Sequence, residues 1–152
     1  MAAGAEAAAE PRRLWTGGCA CGGVRYAIAA RPGPVSYCHC GQCRSQHGHV
    51  GAYTTFPRAA FRLTVAETLV WYPSSDRARR GFCGRCGSGL FWDPQEEERM
   101  DVTAGSLDEP TGLRADRHIW VDFKGDYYDL PDDGLLRRTS GQPGNASQQG
   151  EP

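Results

Sequence analysis

No stretch of this sequence approaches the roughly 20 consecutive apolar residues that a membrane-spanning helix requires, so a place inside a bilayer is not expected. The first residues also lack a basic start followed by an apolar run, which a secretory signal would need. Residues 1–13, MAAGAEAAAEPRR, are instead Ala-rich and interrupted by Glu6, Glu10 and Pro11. A cytoplasmic protein is the expectation. Lysine occurs once, as Lys124, and the formal net charge is −1, which argues against a protein built to coat nucleic acid. Residues 139–152, TSGQPGNASQQGEP, are polar and Gly/Pro-rich and, like 1–13, are expected to form a disordered tail. That leaves 14–138 as one domain, and a content of 39% hydrophobic and 10% aromatic residues suffices for its core.

Helix signals are scarce too. A turn of helix fits at GQCRSQHG or EPTGLRADRH, but short runs rich in aromatic and β-branched residues dominate: GGVRYAIAA, GAYTTFP, FRLTV, TLVWYP, GLFWDP, MDVTAGSL and HIWVDF. Punctuated by glycine, they predict a mainly β, single-domain fold of short antiparallel strands.

What the chain does have is seven cysteines. In an intracellular protein these point to metal binding or catalysis rather than disulfides, and an odd number cannot all pair within one chain. CGRCGSG is a C-x-x-C turn with glycine after each cysteine, in which Cys83 and Cys86 can bind one ion while backbone N–H groups donate to the sulfurs. The competing use of C-x-x-C, thioredoxin-like redox chemistry, lacks its βαβ context. In GGCACGGV, Cys19 and Cys21 are two apart and share a face if the segment is extended. Joined with Cys83 and Cys86 they would make a closed Cys₄ site spanning a loop of about sixty residues, stabilising a small β domain.

CHCGQC then leaves Cys38, Cys40 and Cys43 one ligand short of a tetrahedron. Closed sites are structural, whereas three protein ligands and a vacancy suit catalysis. Another partition groups Cys40 and Cys43 with Cys83 and Cys86, leaving Cys19, Cys21 and Cys38 together. His47 or His49 could also close a Cys₃His site, giving a non-catalytic interaction module, and an oxidisable trio could serve as a zinc/thiol redox sensor. His39 alternates with its cysteine neighbours and should face away from them. His118 reads as a hydrogen-bonded strand residue that could orient a group near the site.

The segments GGCACGGVRY, YCHCGQCR, FPRAAFRLT, FCGRCGSGLFW, VTAGSLDEP and HIWVDF, in this order, resemble the glutathione-dependent formaldehyde-activating enzyme family, which includes the centromere protein V-like proteins. The resemblance implies an Mss4-like, zinc-containing fold with two zincs per chain. A structural zinc would be held by Cys19, Cys21, Cys83 and Cys86, and a catalytic zinc by Cys38, Cys40 and Cys43. It implies a carbon–sulfur lyase-type activity, joining glutathione and formaldehyde to S-(hydroxymethyl)glutathione, or a related thiol–aldehyde pair. No nucleic-acid or membrane partner is implied. The long basic N-terminal extension of the centromere-associated relatives has no counterpart in the Ala-rich start, and Tyr127 and Tyr128 stand where the family tends to carry a Trp.

A free thiol has a pKa of about 8.5, so the reaction needs a device that makes thiolate near neutrality. Three thiolate ligands weaken the Lewis acidity of a zinc and suit it to binding sulfur. Glutathione's two carboxylates call for basic groups nearby, for which Arg44 and the Arg77, Arg79, Arg80 and Arg85 cluster are candidates, against the plainer reading of surface arginines.

Overall fold

Glycine and proline punctuate the chain often enough to keep strands short, and the computed structural model, which describes residues 13–139, is built of them. Numbered in chain order, they fall into two sheets. Strands β1 (Trp15–Gly18), β2 (Val24–Ile28) and β5 (Phe61–Ala66) form a three-stranded antiparallel sheet. The second sheet runs in the order β11 (Leu136–Arg137), β10 (Ala115–Ile119), β3 (Val35–Cys38), β4 (Gly51–Pro57), β9 (Arg99–Thr103), β8 (Gly89–Pro94), β7 (Ala78–Cys83) and β6 (Leu69–Pro73). A single α-helix among the described residues, α1 (Gly41–His47), connects β3 to β4.

The mainly β, single-domain expectation holds, with two corrections. The sheet is mixed rather than antiparallel, because β10 pairs parallel to both β3 and β11. And EPTGLRADRH contains no helix: Pro110 and a left-handed Gly112 (φ +69°) break the chain, after which Ala115–Ile119 extends along β3. The helix at GQCRSQHG is present as α1. Of the two expected tails, all but Arg13 and Thr139 lie outside the described residues. Among those described, no helix is long and apolar enough to cross a membrane.

Period-two alternation gives the eight-stranded sheet two different faces. One face packs Phe56, Phe91, Met100 and Val102 against Val24, Tyr26 and Ile28 of the small sheet. Aromatic rings interlock there, Tyr26 and Phe61 each meeting Phe91 edge-on at 5.3 Å. Each large side chain so buried contributes roughly 1.5–3 kcal/mol from apolar transfer. The opposite face packs Cys38, Cys43, Tyr53, Trp92, Ile119 and Trp120. Register aligns a polar row across it: Arg80 opposite Trp92, Trp92 opposite Asp101, and Asp101 opposite Thr55, along β7, β8, β9 and β4. An apolar face thus holds the sheets together, and its reverse is free to carry polar groups.

Candidate functional site

Two groups of cysteines form, on different parts of this scaffold. All seven thiols are free. Within each group the sulfurs lie within 4.8 Å of one another: Cys19, Cys21, Cys83 and Cys86 in one, Cys38, Cys40 and Cys43 in the other. The alternative partition, which exchanges members between the groups, is therefore not the one the fold makes.

The four-cysteine group sits where the β1–β2 and β7–β8 turns meet. Both turns close by the same device. Gly22 N–H donates to Cys19 O at 3.1 Å and Gly87 N–H to Cys83 O at 2.9 Å, with φ near +79° and +78°, a conformation that glycine adopts without steric cost. Val24 N–H and Cys86 N–H point at the sulfurs of Cys19 and Cys83, at 3.2 and 3.4 Å. Two hydroxyls add to this. Thr68 lies 3.0 Å from the Cys83 sulfur and holds that thiol below its ordinary range, and Ser88 lies 3.2 Å from Cys86, which it helps hold down at about 5. Sulfur–sulfur distances of 3.6 Å for Cys19–Cys21 and Cys21–Cys83 match the edge of about 3.8 Å in a tetrahedron of 2.3 Å metal–sulfur bonds. Four thiols at that spacing, with Cys83 and Cys86 held down by their donors, fit a thiophilic ion such as zinc.

The three-cysteine group is built differently. Cys38 ends β3, Cys40 caps the N-terminus of α1 with its sulfur accepting from Cys43 N–H, and Cys43 lies on the inner side of that helix. Contacts from Cys38 and Cys43, with the Arg80 charge nearby, draw the Cys40 thiol well below its usual value; Cys38, donating to it and buried, is pushed up. The trio therefore carries at least one thiolate readily. A buried positive charge answers it. Arg80, 6% exposed, donates from Nη1 to Tyr53 Oη at 2.8 Å and from Nη2 to Gln42 Oε1 at 2.7 Å, and Nη2 lies 3.7 Å from the Cys43 sulfur. Among the described residues no carboxylate lies within ion-pair distance of it. An uncompensated buried charge costs several kcal/mol, so the sulfurs are its natural counter-charge.

Arg80 and the three cysteines border one cavity of about 30 Å³, together with Trp92, Asp101 and Ile119. At 10–15 Å³ per probe-sized water, it has room for about two heavy atoms.

The histidines stand apart from both groups. His47 shares a 2.6 Å hydrogen bond with Tyr53 Oη, and His49 a 3.0 Å one with Tyr127 Oη; neither joins the three sulfurs. His39 is buried and faces away from them, as the alternation predicts. It is one link in a chain: His118 Nε2 to Asp133 at 3.0 Å, His118 Nδ1 to His39 Nε2 at 2.8 Å, and His39 Nδ1 to Tyr128 Oη at 2.7 Å. A neutral His39 ring donates from one nitrogen and accepts at the other, so the Tyr128 hydroxyl and the His118 ring take opposite roles towards it. The chain holds His39 as a neutral ring near physiological pH, burial pushing it down to about 4. It pins the segment after β3 to the residues before β11.

Of the basic candidates only Arg80 borders the cavity. Arg79 stacks on Trp71 at 4.0 Å and pairs with buried Asp93, Arg77 and Arg85 are exposed, and Arg44 donates to His39 O. Sequence reasoning passed over Gln42, Tyr53, Thr68, Ser88, Trp92 and Asp101. Asp101 had a readable signal: in RMDVT it is a carboxylate on the face opposite Met100 and Val102.

This arrangement falls within a known family. The family model described as glutathione-dependent formaldehyde-activating enzyme matches residues 14–123, most of the chain, and the chain belongs to that family. Among solved structures it is similar to a Rhodobacter sphaeroides protein determined by structural genomics, at 19% identity and a TM-score of 0.50, covering 82% of this chain and 99% of that one. That likeness concerns the fold alone.

Proposed function

We propose that this protein catalyses the addition of a thiol, glutathione, to formaldehyde or another very small aldehyde, a carbon–sulfur lyase-type reaction run towards adduct. The observation that carries the reading is the pairing of a thiolate-forming trio, Cys38, Cys40 and Cys43, with the buried Arg80 on the wall of one cavity of about 30 Å³. Family membership supports the same reaction class.

Two zincs per chain fit the donor sets, in an Mss4-like zinc domain over 14–138. Cys19, Cys21, Cys83 and Cys86 would hold the structural one and Cys38, Cys40 and Cys43 the catalytic one. When bound at the trio, zinc supplies a soft electrophile that lowers the pKa of a thiol or polarises a carbonyl. The remaining chemistry belongs to the chain. Room for about two heavy atoms matches the carbon and oxygen of formaldehyde, and leaves the tripeptide to lie across the mouth. Arg80, already oriented by Gln42 and Tyr53, faces the oxygen on which negative charge develops as sulfur attacks. Trp92 and Ile119 keep the wall dry, which strengthens that interaction. A cytoplasmic location follows from the dependence on reduced thiols.

The test is exchange-spectroscopy NMR of labelled formaldehyde with glutathione, comparing buffer, native protein and Cys43→Ser, with zinc per chain measured on each. Faster exchange with native two-zinc protein, and buffer-rate exchange with a one-zinc variant, is the expected result. Buffer-rate exchange with two-zinc native protein would overturn the reading.

A further inference from the structure

The cavity wall carries one buried carboxyl among its lining residues. Asp101 lies on β9, on the same face as Arg80 and Trp92, and its side chain borders the cavity. It is 6% exposed, and its Oδ1 is fully buried with no hydrogen-bond partner. It is the only buried side-chain polar atom so placed among the described residues. Leaving a buried carboxylate oxygen unpaired costs about 1–3 kcal/mol or more, and such atoms call for a functional explanation. Its neighbours on the cavity wall have partners that hold them still: Arg80 has Gln42 and Tyr53, and Tyr53 has His47 as well.

We propose that Asp101 is the proton carrier of the reaction, its unpartnered Oδ1 taking the proton of the incoming thiol and returning it to the aldehyde oxygen. The inference rests on the thiol–aldehyde reading. The step balances without any further reactant. The thiol S–H bond breaks and its proton passes to the Asp101 carboxylate; the sulfur lone pair forms the C–S bond; the carbonyl π pair moves to oxygen; and the proton passes from Asp101 to that oxygen, giving the hydroxymethyl thioether. Nothing is oxidised or reduced, and the carboxylate is regenerated.

Electrostatics suit the role. Burial pushes the Asp101 carboxyl up to about 6, against the opposing pull of the Thr55 hydroxyl and of Arg99 and Arg80. The other titratable groups around it are Glu97 from the turn before β9, Tyr53 from β4, and the cysteine trio across the cavity. A base with a pKa just below the working pH both accepts and returns a proton with little loss of driving force.

The experiment measures the protein-dependent exchange rate, buffer rate subtracted, for native protein and Asp101→Asn between pH 5 and 8, with metal per chain on both. Alongside it, carboxyl ¹³C NMR of native protein labelled at aspartate follows Asp101 directly and involves no turnover. The expected result is a native rate that falls as pH drops through about 6, and an Asp101→Asn rate about 100-fold lower at pH 7 that lacks this limb. Metal content is unchanged, and one aspartate carbon titrates near 6 in native protein and is missing from the variant. An Asp101→Asn protein with native rate and native limb overturns the inference while leaving the parent reading intact. So does native protein in which no aspartate carbon titrates near 6. Native protein that leaves exchange at the buffer rate overturns both.

Discussion

The two cysteine groups present the same atom in contrasting surroundings. Around Cys19, Cys21, Cys83 and Cys86 the polar contacts come from backbone donors in tight turns and from small hydroxyls, and the group ties the three-stranded sheet to the eight-stranded one. Cys21 and Cys86 are exposed, while Cys19 and Cys83 are buried in the core between the two sheets. Around Cys38, Cys40 and Cys43 the neighbours are a guanidinium, a carboxyl and aromatic walls, all on one sheet face, with space left between them. A group satisfied on all sides is good for holding a fold. A group with one open side and a buried counter-charge is good for chemistry.

The largest effect comes from breaking the first group. Cys83, wholly buried, anchors it. Apparent metal-binding energies of ~10–16 kcal/mol in small zinc modules match or exceed the 5–15 kcal/mol net stability of a typical domain. Cys83→Ser should therefore yield protein without a cooperative thermal transition, read by near-UV circular dichroism; a variant that melts within a few degrees of native would place the fold's stability elsewhere.

A middle effect, of the opposite sign, comes from the wall of the second group. The pKa of Asp101 is higher folded than unfolded, so its contribution to stability is present in acid and is lost as pH rises through about 6. A rise from the ordinary carboxyl value to about 6 is worth about 3 kcal/mol. Asp101→Asn should stabilise the protein by up to about 3 kcal/mol at pH 7.5 and by about half that at pH 5, measured by urea denaturation at both. An active-site group that costs stability is the usual trade between function and fold. Equal stability of the two proteins at both pH values would show that Asp101 carries no burial penalty.

The smallest effect separates an open trio from one closed by histidine. His47→Ala/His49→Ala removes hydrogen bonds to Tyr53 and Tyr127, each worth about 1 kcal/mol, and should leave metal per chain unchanged by atomic absorption. Loss of one metal equivalent would make the trio a closed site.

Much of the cysteine grouping was readable in advance, because it is written in local spacing. C-x-C, C-x-x-C and their flanking glycines define the half-sites, and alternation in GLFWDP and GAYTTFP marked strands that run from Gly89 to Pro94 and Gly51 to Pro57. The rest depends on which strands become neighbours. Parallel pairing of β10 with β3 brings His118 to His39 and Ile119 beside Cys38, a contact no local pattern encodes. The arginine cluster shows the same limit. Arg79 and Arg80 are adjacent in sequence, but alternation sends one to Trp71 and Asp93 and the other to the cavity. Asp101 looked like one polar residue in a strand until the register set it in line with Trp92 and Arg80.

The most direct test of the division of labour is stepwise chelation of the native protein, recording metal released, circular dichroism and formaldehyde–glutathione exchange on the same samples. The account predicts that the first equivalent takes the exchange activity with it while the spectrum stays native, and that the second unfolds the chain. Activity and fold lost together, or activity surviving the first equivalent, would contradict it.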